Sequence, residues 1–104
     1  MTILSIDTSS NEKISVGIQI DKERFFLTRK ITRQKAQVVL PMIDMLLKKH
    51  KMKLTDIDSI QVETGPGSFT GLRVGVSIAN ALGYALNIPV NGMPLGTLAE
   101  PVYS

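Results

Sequence analysis

The stretch Ser59-Ile60-Gln61-Val62-Glu63-Thr64-Gly65-Pro66-Gly67-Ser68-Phe69-Thr70-Gly71-Leu72-Arg73-Val74-Gly75 decides most of the fold. Ser59 to Glu63 reads as a short strand, and Thr64 to Ser68 as a loop that opens a helix from about Thr70 to Leu86. Ser68 or Thr70 is the natural N-cap, because a hydroxyl there can accept one of the unpaired N–H groups of the first turn. Leu72, Val76, Ala79, Leu82 and Leu86 share one side of the helix, and Val74, Ile78, Ala81 and Ala85 share a second. Arg73, Ser77, Asn80, Tyr84 and Asn87 keep to one narrow arc. A helix with one face in water needs an apolar stripe of only about 100°, and this one carries roughly twice that.

Between the two apolar faces run Gly71, Gly75, Ala79 and Gly83, spaced by four. An interior glycine costs about 0.5–1 kcal/mol relative to alanine, so the ridge implies a close approach of backbone. Two readings follow. The ridge packs on the chain's own sheet or neighbouring helix, or the helix is shared with another subunit.

Working outward, Thr2 to Thr8 alternates as a strand, Ser9 to Glu12 is a turn, and Ile14 to Ile20 alternates again, which makes a hairpin. Asp21-Lys22-Glu23 turns the chain into a third antiparallel strand from Arg24 to Ile31. Gln34 to His50 carries Val39, Met42, Ile43, Leu46 and Leu47 at helical spacing. Pro41 either kinks that helix or marks its first turn. Val38, Leu40 and Met45 make it apolar on more than one side. Beyond the second helix, Ile88 to Gly92 reads as a last strand, and Leu95 to Glu100 begins a further helix. The order β-β-β-α-β-α-β predicts an α/β fold, a mixed sheet of about five strands flanked by helices.

The composition narrows the chemistry. With 104 residues, 43% hydrophobic and 20% charged, the chain suits one globular domain with a thin core. The absence of cysteine excludes a disulfide framework and thiolate chemistry, and fits a reducing compartment. The N-terminal residues show no basic and apolar leader pattern, so no signal peptide is expected. Polar residues and Pro89 interrupt the stretch from Leu72 to Val90, so no membrane span is expected. The net charge of +3 is dispersed, with loose groups at Lys48, Lys49, Lys51 and Lys53 and at Arg29, Lys30, Arg33 and Lys35. Lysines at a helix end compensate the helix dipole more readily than they build a nucleic-acid stripe. His50, the single histidine, reads as a solvated partner of the same dipole.

Candidate chemistry gathers in two places. The spacing of Gly65, Gly67 and Gly71 is one residue too long for a dinucleotide fingerprint, and no lysine follows as a P-loop requires. The loop either holds an anion on its N–H groups or makes a tight turn. Asp7, Thr8 and Ser9 either support a magnesium-bound phosphate or form an Asx turn. Asp7, Thr8, Ser9, Gly65, Gly67 and Ser68 are therefore the candidate phosphate loop. No Ser/His/Asp set, paired histidines or convergent carboxylates can be assembled, so no catalytic or metal residues are expected. The candidate partner face is Val39, Met42, Ile43 and Leu46 on the first helix. On the second it is Gly71, Leu72, Gly75, Val76, Ala79, Leu82 and Gly83.

Ile3-Leu4-Ser5-Ile6-Asp7-Thr8-Ser9, Leu40-Pro41-Met42-Ile43 and the eleven residues from Gly65 to Gly75 resemble the N-terminal half of the TsaB (YeaZ) family. The resemblance covers nearly the whole chain but only about the first half of a usual member, so residues 1–104 are expected to form a single lobe without the C-terminal one. It implies an RNase H-like lobe of the actin, sugar-kinase and Hsp70 superfamily. It implies a role in placing threonylcarbamoyl on the adenosine next to the anticodon of tRNAs that read ANN codons. The implied part is that of a non-catalytic cytoplasmic subunit. Its two helices would pair with a metal-bearing TsaD-like catalytic subunit, a TsaE-like ATPase would join them, and a homodimer would use the same helices. Contact with tRNA would be indirect, ATP and magnesium would bind only at an interface of the complex, and the phosphate loop would be vestigial. Lys35 stands where many members have a histidine, which argues against chemistry there. The alternatives are an ATP-using enzyme lobe relying on Asp7 and the 65–71 loop, or a glycoprotease-like peptidase, for which no nucleophile arrangement is present.

Overall fold

Residues that alternate in sequence sort onto two faces of one sheet. Leu4 and Ile6 on β1 (Thr2–Asp7), Ile14, Val16 and Ile18 on β2 (Lys13–Ile20), and Ile60 and Val62 on β4 (Ser59–Val62) point to a common side and are buried. The third strand, β3 (Glu23–Lys30), completes the sheet. The computed structural model describes residues 1–30 and 35–102. The strand order is β3-β2-β1-β4, with β1–β2 and β2–β3 antiparallel and β1–β4 parallel. A parallel pair needs a crossover connection, and α1 (Lys35–Lys49) supplies it between β3 and β4.

Both α1 and α2 (Phe69–Leu86) cover the same face of the sheet. Val39, Met42, Ile43, Leu46 and Leu47 of α1, and Leu72, Val76 and Ala79 of α2, are buried. Removing one such large aliphatic side chain from water stabilises the fold by about 1.5–3 kcal/mol. Lys48 and Lys49 end α1, where cations suit the helix dipole. Pro41 lies inside α1 and not in its first turn. The N-cap of α2 is Ser68, whose Oγ accepts the Gly71 N–H at 3.3 Å. Asn87, at φ 56°, ends the helix in the left-handed conformation. The other face of the sheet is open and carries Ser5, Gln19, Gln61 and the 65% exposed Phe26.

Three expectations change. Ile88 to Gly92 is not a fifth strand; Val90 makes only a single parallel bridge to Ile60. Pro89 has no N–H, and Asn91 and Gly92 take positive φ, so the ladder cannot continue. The Asn91 side chain continues it instead. Its Oδ1 accepts the Val62 N–H at 2.7 Å, and its Nδ2 donates to the Val62 carbonyl at 3.1 Å. Leu95 to Glu100 is not helical; Gly96 has φ 86°, and Asn80 holds the Ala99 backbone through two hydrogen bonds of 2.8 and 2.9 Å. His50 is half-buried, with its ring centroid 4.0 Å from that of Phe25, so it packs on the sheet side of the chain and is not simply a solvated partner of the helix dipole. Ile31 at the expected end of the third strand, Gln34 at the expected start of the first helix, and Arg33 lie outside the described residues.

Candidate functional site

The turn after β1 is the junction on which three elements meet. Asp7 is exposed, and its Oδ1 accepts both the N–H and the hydroxyl of Ser9, at 2.9 and 2.6 Å. This is an Asx turn, as the residue types allow. Carbonyls of the turn are taken from two sides. Lys35 at the start of α1 donates through Nζ to Thr8 O at 3.4 Å and to Ser10 O, and the Ser68 N–H donates to Ser9 O at 2.9 Å. Desolvation lowers the Lys35 ammonium from its ordinary value of 10.5, against an opposing pull from Asp7.

Thr8 is fully buried, and its hydroxyl faces α2 instead of any ligand space. Its Oγ1 donates to Gly71 O at 2.5 Å and accepts the Gly75 N–H at 3.0 Å. A Cβ on Gly71 would collide with the Thr8 carbonyl oxygen, and one on Gly75 with Thr8 Oγ1. The glycine ridge thus admits the end of β1, and the inward reading of the ridge holds for these two positions. Gly83 likewise packs on Val90, whose Cγ2 would lie 2.5 Å from an added Cβ. Gly67 packs on Ser9, and Gly65, at φ 117°, packs on Val102. The candidate phosphate loop is brought together in space, but the hydroxyls of Thr8, Ser9 and Ser68 all have partners within the chain.

Glu63 is the residue that sequence reasoning passed over. Ile6 pairs with Val62 in parallel, so Asp7 and Glu63 leave neighbouring strands at the same end of the sheet. Both line a shallow concavity of about 300 Å³ on the open face, together with Ser5, Ser15, Phe26 and Gln61. The signal available was an acidic residue ending each of two strands. Among the described residues, no three His, Cys, Asp or Glu side chains gather into a metal-binding group.

The candidate partner face needs correction. Val39, Met42, Ile43, Leu46, Leu72, Val76 and Ala79 are buried in this chain's own core, and Leu82 packs against it. Gly71, Gly75 and Gly83 are filled from within. Among the described residues, the two helices leave accessible the polar arc and part of the second side of α2, and the outer side of α1. Ala81, Tyr84 and Ala85 are exposed, Val74 and Ile78 half-buried, and Leu40 and Met45 are each 49% exposed. Ala36, Thr70, Arg73, Val74, Ser77 and Ile78 line an open groove of about 360 Å³ there.

A hairpin-first mixed sheet with both helices on one face, the second entered from β4 through the glycine loop, defines an RNase H-like lobe of the actin-like kind. The family model of TsaD, tRNA N6-adenosine threonylcarbamoyltransferase, matches residues 26–95. The tRNA threonylcarbamoyladenosine biosynthesis protein TsaB of Haemophilus influenzae is 36% identical over 98 residues, covering 94% of this chain and 40% of that protein. The TsaB of Bacillus subtilis is 38% identical over 103 residues, covering 95% and 44%. The solved structure of YeaZ from Pseudomonas aeruginosa matches with a TM-score of 0.81 at 36% identity, over 86% of this chain and 41% of that one. The chain belongs to the TsaD family, on its TsaB (YeaZ) branch. It spans less than half the length of these relatives. Among the described residues, no helix is long and apolar enough to cross a membrane.

Proposed function

We propose that this chain is a non-catalytic docking lobe in the cytoplasmic biosynthesis of threonylcarbamoyladenosine in tRNA. It presents the outer side of α1 and α2 to a TsaD-like catalytic subunit, with a TsaE-like ATPase completing the assembly and ATP and magnesium handled where the subunits meet. A second copy of the chain uses the same face when that subunit is absent. The names of the relatives supply the pathway, and one observation carries the docking role. The groove between the helices has aliphatic Val74 and Ile78 in its lining and half-exposed Leu40 and Met45 on the neighbouring helix. Exposed apolar side chains on two neighbouring helices suit an interaction site, and methionine adapts to its partner.

The test is Ala81→Glu. Ala81 is exposed on the second side of α2, so the charge leaves the core untouched. Co-purification of the wild-type chain with the cognate TsaD-like protein is expected, and its loss in the variant at unchanged melting temperature. A variant that still co-purifies as well as wild type would refute docking through this face.

A further inference from the structure

Gly71 C=O and Gly75 N–H are four residues apart, the pair that an α-helix joins directly. Here the buried Thr8 hydroxyl bonds to both, donating to the first at 2.5 Å and accepting from the second at 3.0 Å. A buried side chain that bonds both the carbonyl and the N–H of one helical step ties the helix at that point to the element that carries it. The anchor is firm, because β1 is central in the sheet and paired on both sides. The same turn also receives Lys35 from α1 and the Ser68 N–H from the start of α2.

We propose that Thr8 is a positioning residue that latches α2 to β1. By bonding Gly71 C=O and Gly75 N–H where the two glycines admit it closely, its hydroxyl fixes the axial register and roll of α2 on the sheet, and so the direction in which Val74 and Ile78 face. Lys35 ties α1 to the same turn, so the relative placement of the two helices is set there. The consequence for docking rests on the function proposed above; the latch itself does not.

The test compares Thr8→Val, which keeps the shape without the hydroxyl, with Thr8→Ser, which keeps the hydroxyl. Residue-resolved amide hydrogen exchange is measured on the isolated full chain. Thr8→Val is expected to accelerate exchange at Gly75 about tenfold, the loss of one buried hydrogen bond, with Val16 and Ile18 unchanged and Thr8→Ser close to wild type. If Thr8→Val does not fold, Thr8→Ala takes its place. Unchanged exchange at Gly75, acceleration spread equally over Val16 and Ile18, or failure of Thr8→Ser to restore protection would each overturn the latch. Affinity for the cognate TsaD-like protein is expected to fall about tenfold in Thr8→Val and to return in Thr8→Ser. If the wild-type chain does not bind that protein, the docking role fails, while the exchange data still decide the latch.

Discussion

Replacing Gly75 with alanine sets two effects against each other. In an ordinary helix interior, Gly→Ala stabilises by about 1 kcal/mol. Here the new Cβ would overlap Thr8 Oγ1 and lie 3.4 Å from Thr8 Cβ and Cγ2. The Thr8 side chain is buried and bonded at both ends, so it has nowhere to turn. Overpacking costs about 1–3 kcal/mol, and disturbing the two hydrogen bonds adds about 0.5–1.5 kcal/mol each. Gly75→Ala is therefore expected to destabilise the fold by about 2–3 kcal/mol after the propensity gain. In a Thr8→Ala background the colliding hydroxyl is gone and only a carbon at 3.4 Å remains. There Gly75→Ala is expected to stabilise by about 0.5–1 kcal/mol, an interaction energy of about 3 kcal/mol. Gly71→Ala is the control. Its nearest contact is the Thr8 backbone oxygen, which Thr8→Ala leaves in place, so it should stay destabilising in both backgrounds. Urea unfolding of the variants measures all of these terms. Equal penalties for Gly75→Ala in both backgrounds, or rescue of Gly71→Ala by Thr8→Ala, would refute the reasoning.

Two further outcomes are expected. Asn91→Gly removes both side-chain bonds to Val62 without straining the positive φ, and should lower stability by about 1–2 kcal/mol in thermal unfolding; no loss would mean the carboxamide adds nothing to the sheet. Lys35 titrates below 10.5 in the folded chain because of desolvation, so in the window between its folded value and 10.5 the unfolded chain holds a proton that the folded chain has released. Stability should gain from this group as pH rises through that window. Lys35→Met should abolish the gain in urea midpoints; a slope that persists in the variant belongs to other groups.

The periodic part of the fold was legible because period two and period 3.6 leave different marks on a sequence. The β1–β2–β3 meander and both helices stand where alternation and helical spacing put them. Ile88 to Gly92 misled because its apolar residues suit a strand, while the backbone of Pro89, Asn91 and Gly92 does not. Spacing by four made the glycine ridge visible but said nothing about what approaches it. Only the burial of Thr8 shows that the end of β1 enters there. Threonine at a strand end has the same chemistry whether it points to a ligand or to a helix, so its side chain could not be assigned from residue type. Glu63 was hidden for another reason. Its nearness to Asp7 comes from the parallel register of β1 and β4, a pairing between residues far apart in the chain.

The excess apolarity of α2 has a different meaning once its contacts are known. Val76 and Ala79 join the core shared with the sheet and α1, Leu72 is buried against the glycine loop at Gly65, Gly71 and Gly75 meet the turn after β1, and Asn80 and Gly83 hold the segment that follows. Much of its apolar surface is thus accounted for inside the chain, which explains why a helix in so thin a domain is apolar on two sides. The apolar remainder is a strip through Val74, Ile78, Ala81 and Ala85, flanked by the exposed Arg73, Ser77 and Tyr84. A strip so narrow tolerates little rotation of the helix before a different set of residues faces outward, since each residue advances the helix by about 100°. Docking through it therefore demands that the roll of α2 be fixed, and a hydroxyl bonded to the helix at Gly71 and Gly75 fixes it within one turn of Val74 and Ile78.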